Sequence, residues 1–134
     1  MKRSIWQQVY ERAKGCCEYC QTCEKITAQP MHVDHIIPGG GDEPDNLCLA
    51  CANCNLSKHK AITALDPDTE SIVALFNPRQ QTWSEHFAWR DDGLRIEGLT
   101  AVGRATVERL RMNQERAVQA REIWLETGLH PPSL

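Results

Sequence analysis

Two cysteine pairs of identical spacing frame the first half of this chain. Cys17-Glu18-Tyr19-Cys20 stands upstream, and Cys51-Ala52-Asn53-Cys54 stands downstream with Asn55 directly after it. A CxxC step turns back sharply enough to aim two sulfurs at one point. Two such knuckles therefore meet the requirement of a tetrahedral four-thiolate zinc site. A metal held this way closes the intervening chain into a loop, and inside that loop lies His32-Val33-Asp34-His35-Ile36-Ile37-Pro38. A carboxylate and an imidazole are thus held side by side, which is a layout suited to catalysis.

A length of 134 residues allows one domain, or a small domain with an extension. Residues 1–60 offer few large apolar side chains, and cores that thin are commonly stapled by metal or disulfides. The seven cysteines are odd in number, and Met1-Lys2-Arg3 leads into a polar amphipathic segment. A cytoplasmic metalloprotein is therefore expected ahead of a secreted disulfide framework. No run of eighteen apolar residues occurs, so no membrane span is expected. The net charge of −3 falls entirely in residues 61–134, while residues 1–60 balance at seven Lys/Arg against seven Asp/Glu. This excludes a protein that coats nucleic acid by bulk charge and leaves local patches. Two stand out: Lys2, Arg3, Arg12 and Lys14, and then Lys58, His59 and Lys60.

Ser4 with Gln7 makes a capping-box pattern for a helix to Lys14, stopped by Gly15. Residues 21–30 read as a polar loop, Met31–Ile37 as a strand ended by Pro38, and residues 39–45 as a turn-rich loop. Asn46–Ala50 reads as the hairpin partner of the first strand, and a helix is expected from about Asn53 to Thr63. Two strands followed by a helix, with metal chemistry at their junction, make a compact ββα-metal arrangement. Beyond it, Ser71–Phe76 reads as a strand, and Trp83–Arg90 with Leu94–Gly98 as a hairpin across Asp91-Asp92-Gly93. Thr100 caps a helix to about Met112. Asn113 caps another, with Val118, Ile123, Trp124 and Leu125 apolar, ending at Gly128. The expected division is 1–63 as the metal-bearing core and 64–134 as an extension packed on it.

Hydrolysis of a phosphodiester needs a base for water, a cation for the charge on phosphate and leaving oxygen, and alignment of the two. His35 suits the base, since a near-neutral imidazole accepts a proton at working pH. Asp34 points to the other side of the strand and offers oxygen to a hard cation. Asn55 opens the following helix with His59 four residues on, so Asp34, Asn55 and His59 are placed to share one ion.

The linked series Cys17-x-x-Cys20, Val33-Asp34-His35-Ile36-Ile37-Pro38, Gly40-Gly41, Asn46-Leu47 and Cys51-x-x-Cys54-Asn55-x-x-Lys58 resembles the HNH endonuclease family over roughly residues 12–60. The stretches Leu75–Gln80 and Trp83–Phe87 resemble an extension on some stand-alone bacterial HNH proteins. The resemblance implies an α+β fold with a ββα-metal (HNH, His-Me finger) core and a structural zinc. An N-terminal helix would precede that core, and a C-terminal β-hairpin plus two-helix extension would follow it. It implies a DNA endonuclease, monomeric or homodimeric, with RNA left open as substrate, leaving 5′-phosphate and 3′-hydroxyl ends. Its catalytic set would be His35, Asp34, Asn46 and Asn55, with Asn46 orienting the loop and the His35 backbone; His59, where the family commonly has a small or different residue, joins the set from its place on the helix face. Mg²⁺ or Mn²⁺ would sit on Asp34, Asn55 and His59, and Lys58 and Lys60 would contact phosphate.

Cys16, Cys23 and Cys48 create rival registers, because Cys20-x-x-Cys23 and Cys48-x-x-Cys51 are also CxxC pairs. Cys17, Cys20, Cys51 and Cys54 are preferred, because the helix start then falls beside the site. Cys48 is expected buried on the second strand, and Cys16 and Cys23 are expected free. Six sulfurs in two CxxCxxC runs leave open an iron–sulfur cluster or a second zinc, and with it a redox or sensing protein. A zinc-knuckle module that binds nucleic acid without cutting is a further alternative.

Overall fold

A computed structural model describes residues 3–134; Lys2, of the first basic patch, lies outside the described residues. The first helix, α1 (Ile5–Arg12), opens with the expected capping box. Ser4 Oγ accepts from the Gln7 N–H at 3.1 Å, and Gln7 Oε1 accepts from the Ser4 N–H at 3.0 Å. Within the segment expected as loop, a single turn, α2 (Glu24–Thr27), interrupts the polar run. Strands β1 (His32–His35) and β2 (Leu47–Ala50) pair antiparallel, with Asp34 opposite Cys48 and His35 opposite Leu47. Helix α3 (Ala52–Lys58) packs across both strands and completes the ββα unit.

This helix stops five residues short of the expected end. His59 takes a left-handed φ of 51°, and the chain turns directly into β3 (Thr63–Leu65). That strand pairs with β4 (Ile72–Ala74) across the turn at Asp66. The buried Asp66 carboxylate holds the turn by accepting from Thr69 Oγ1 at 2.7 Å and from Arg104 Nε and Nη2 at 2.9 and 3.0 Å. After a single turn, α4 (Trp83–His86), strands β5 (Phe87–Arg90) and β6 (Arg95–Gly98) form the hairpin expected across residues 91–93. The last elements are α5 (Ala101–Arg109), capped by Thr100, and α6 (Glu115–Leu125). Asn113 is not a cap. Its side chain makes two 2.8 Å bonds to the Ile96 backbone and closes the edge of β6.

Two glycines let α5 sit directly on the β5–β6 hairpin. A Cβ on Gly103 would lie 2.0 Å from the His86 carbonyl oxygen, and one on Gly98 would lie 2.3 Å from the Arg104 nitrogen.

Both halves of the chain share one core. Val9, Tyr19, Met31 and Leu47–Ala50 from the first half pack with Leu75, Phe76, Phe87, Ile96, Leu110 and Met112 from the second. Polar ties cross the same boundary. Trp83 Nε1 donates to the Tyr19 carbonyl at 2.7 Å, Trp89 Nε1 to Gln21 at 3.0 Å, and Asn53 Nδ2 to the Leu110 carbonyl at 3.0 Å. The expected boundary at 63/64 falls inside β3. No helix among the described residues is long and apolar enough to cross a membrane.

Candidate active site

The four sulfurs of Cys17, Cys20, Cys51 and Cys54 all lie within 4.8 Å of one another, with Cys20 and Cys51 at 3.6 Å. A tetrahedron of Zn–S bonds near 2.3 Å sets sulfurs about 3.8 Å apart. Each knuckle directs a backbone N–H at its first sulfur, Cys20 N to Cys17 Sγ and Cys54 N to Cys51 Sγ, both at 3.5 Å. Four thiols so close cannot all ionise by themselves. Burial raises the Cys17 pKa and hydrogen bonding to Cys17 raises that of Cys54, while hydrogen bonds from its neighbours, Cys17 first, lower that of Cys20. A divalent cation resolves this frustration by taking all four as thiolates. The donor set can hold zinc.

The remaining cysteines leave the rival registers. Cys16 and Cys23, expected free, are joined as a disulfide across an antiparallel bridge at the base of the first knuckle. Cys48 points away from the cluster, 3.8 Å from Asp34 Oδ2, and burial pushes its pKa up to about 12.

Beside β1, a cleft of about 480 Å³ is lined by Asp34, His35, Asp42, Asn55, His59 and Lys60, with the glycine loop as its rim. Asn46 shapes that rim from beneath. Its Nδ2 donates to the Ile37 and Gly41 carbonyls and its Oδ1 accepts from the Ile37 N–H, all at 2.9 Å. It thus holds the loop, whereas the His35 carbonyl is held by Lys58 Nζ at 3.0 Å. His59 lines the cleft although α3 ends before it, because its N–H still bonds the Asn55 carbonyl at 3.0 Å. The His35 ring is half-exposed, with Nε2 2.7 Å from Asp42 Oδ1. An ionised carboxylate only accepts, so in the neutral ring this contact calls for the hydrogen on Nε2 and leaves Nδ1 as the acceptor. His32 is exposed and is not among the cleft residues.

Two residues differ from their expected settings. Lys58 is 1% exposed and pairs with Asp34 Oδ2 at 3.1 Å, so burial removes it from phosphate contact. Asp34 is likewise buried, and its Oδ2 also accepts from the Tyr19 hydroxyl at 3.1 Å. Burial, then the charges of Cys48 and Asp34, push the Tyr19 pKa far above the ordinary phenol range, so Tyr19 stays a donor. Lys58→Ala leaves Asp34 buried without its counter-charge. The expected loss is about 3–5 kcal/mol, read by urea unfolding; a loss within the error of the extrapolation would show that the pair is solvated. Tyr19 and Asp42 were not foreseen. A tyrosine between two cysteine ligands and an aspartate in a glycine-rich turn carry no sequence signal for these contacts.

Residues 17–61 match the family model described as HNH endonuclease. No curated protein and no solved structure matches the chain.

Proposed function

From the match of residues 17–61 to the HNH endonuclease family model, we propose that the protein hydrolyses DNA phosphodiester bonds with His35 as base and one divalent cation. The observation that carries this reading is the shared cleft, in which an imidazole, a carboxylate, an amide and a second imidazole face one another. Asp42 holds His35 Nε2–H, so Nδ1 takes the proton from the attacking water. Asp34, Asn55 and His59 would hold Mg²⁺ or Mn²⁺ between them, a mixed set of oxygen and nitrogen donors that leaves room for waters. The hydrogen bonds to Asp34, and its nearest contact with Lys58, fall on Oδ2, so Oδ1 is the oxygen left for a cation. Lys58 already offsets the Asp34 charge, so the carboxylate positions an ion without neutralising it. The bound ion would stabilise charge on the phosphate and the departing 3′ oxygen. Products would carry 5′-phosphate and 3′-hydroxyl ends, and the four-thiolate zinc would hold the scaffold.

Lys60, exposed at the cleft, replaces Lys58 as the phosphate contact. Lys60→Ala is expected to lower the slope of log K against log salt by about one ion. An unchanged slope in a filter-binding series removes that role.

Supercoiled plasmid incubated with the zinc-loaded protein tests the reading. Nicking or linearisation that requires Mg²⁺ or Mn²⁺ and stops with EDTA sustains it. Binding without cutting on plasmid, single-stranded and branched DNA alike would turn it toward a binding module.

A further inference from the structure

Helix α6 buries a charge that has no carboxylate partner. Its apolar residue Ile123 is 67% exposed, while Arg121 is 1% exposed. Arg121 Nη2 donates to the Met112 carbonyl at 2.7 Å, and Nη1 donates to the Leu94 carbonyl at 2.9 Å and to Asn113 Oδ1 at 3.3 Å. The guanidinium carbon lies 5.3 Å from the centre of the Trp89 ring. Every one of these partners is neutral. Among the described residues no carboxylate lies within 4.0 Å of it, and its buried Nε has no hydrogen-bond partner. A guanidinium does not shed its proton to escape burial. An ion so placed is tolerated when an opposite charge lies near.

The cysteine cluster shares a cavity with this ion. A cavity of about 180 Å³ is lined by Arg121 together with Cys20, Cys51, Met31, Met112 and Trp124. Burial lowers the Arg121 pKa, and the groups that oppose this are Cys20, Cys54 and Cys51. Four thiolates on Zn²⁺ leave a net charge of −2 inside the fold.

We propose that Arg121 is the counter-charge of the zinc–thiolate centre, supplied to the metal of the first half by the last helix of the second. The role rests on the zinc reading above. Linkage then runs both ways, since a group that stabilises the loaded metal site is itself held in place by loading.

Competition with a chromophoric chelator gives the zinc dissociation constant of the full chain for wild type, Arg121→Met, Arg121→Lys and Trp124→Ala. Arg121→Met is expected to bind zinc about 10–100-fold more weakly, in the range seen for outer partners of metal ligands. Arg121→Lys keeps the charge and recovers most of that loss. Trp124→Ala removes packing at the same cavity without a charge and stays close to wild type. An Arg121→Met protein that binds as tightly as wild type overturns the role. So does an Arg121→Lys or Trp124→Ala protein that falls as far, since the effect is then one of packing. Where Arg121→Met is insoluble, Arg121→Gln, which removes the charge and keeps hydrogen-bond donors, takes its place with the same expected loss. Metal content of the wild type is measured first. Protein free of zinc overturns the zinc reading and this role together, whereas zinc-loaded protein with an indifferent Arg121 overturns this role alone.

Discussion

Stripping the metal from the purified protein is expected to abolish its cooperative fold, not merely to loosen one loop. Structural zinc in small folds contributes on the order of 10 kcal/mol of apparent binding energy near neutral pH, and a domain of this size has about 5–15 kcal/mol of total stability. The loss is therefore of the same size as the whole stability. It also spreads, because the first knuckle is a junction. Tyr19 lies between two of the cysteines, donates its hydroxyl to Asp34 and accepts at its carbonyl from Trp83 Nε1. Glu18, beside it, accepts from the Leu49 N–H at 2.8 Å and pairs with Arg79. A strong chelator should collapse the near-ultraviolet circular dichroism of the tryptophans together with the far-ultraviolet signal of the helices. Cys54→Ser should do the same without chelator. Cys48→Ser should keep its zinc, because Cys48 lies outside the cluster. Chelated protein that melts at the wild-type temperature would show that the cluster is not structural.

The four-sulfur cluster was legible as two knuckles but not as a unique register, because CxxC spacing recurs at Cys20–Cys23 and Cys48–Cys51. What selects among them is tertiary. The disulfide to Cys16 withdraws Cys23, and the pairing of Asp34 with Cys48 across β1 and β2 turns the Cys48 sulfur away from the knuckles. The ββα order, the capping box of α1 and the β5–β6 hairpin follow from local pattern, and local pattern is what a sequence displays. Lys58 shows the limit of that reading. A lysine near a helix end reads as solvated, and its burial depends on a carboxylate far away in the chain. Arg121 was hidden in the same way, since the apolar pattern of α6 points to Val118, Trp124 and Leu125, which are partly buried, while the fully buried residue of the helix is the arginine. The strand β3 was missed because propensity carried the preceding helix through His59, where the backbone turns left-handed.

His35→Ala is expected to leave a folded, zinc-loaded protein that no longer cuts DNA. The ring is half-exposed, and its contact with Asp42 is a solvent-exposed hydrogen bond that contributes at most about 1 kcal/mol to stability. What fixes the residue in the fold is its backbone, paired with Leu47 and bonded through its carbonyl to Lys58 Nζ. Those ties survive truncation of the side chain. Removing a general base costs about 10²–10⁴ in rate, and the loss should fall on kcat, because the phosphate and the ion are held by other groups. Single-turnover cleavage with Mn²⁺, zinc content and melting temperature, measured on one preparation, separate the outcomes. Slow cutting with unchanged zinc and melting places the proton transfer at His35. Cutting at the wild-type rate would pass the role of base to His59, the other imidazole of the cleft. A fall in melting temperature alongside the loss would mean that the ring supports the glycine loop through Asp42, and that its chemistry must be tested with Asp42→Ala as the control.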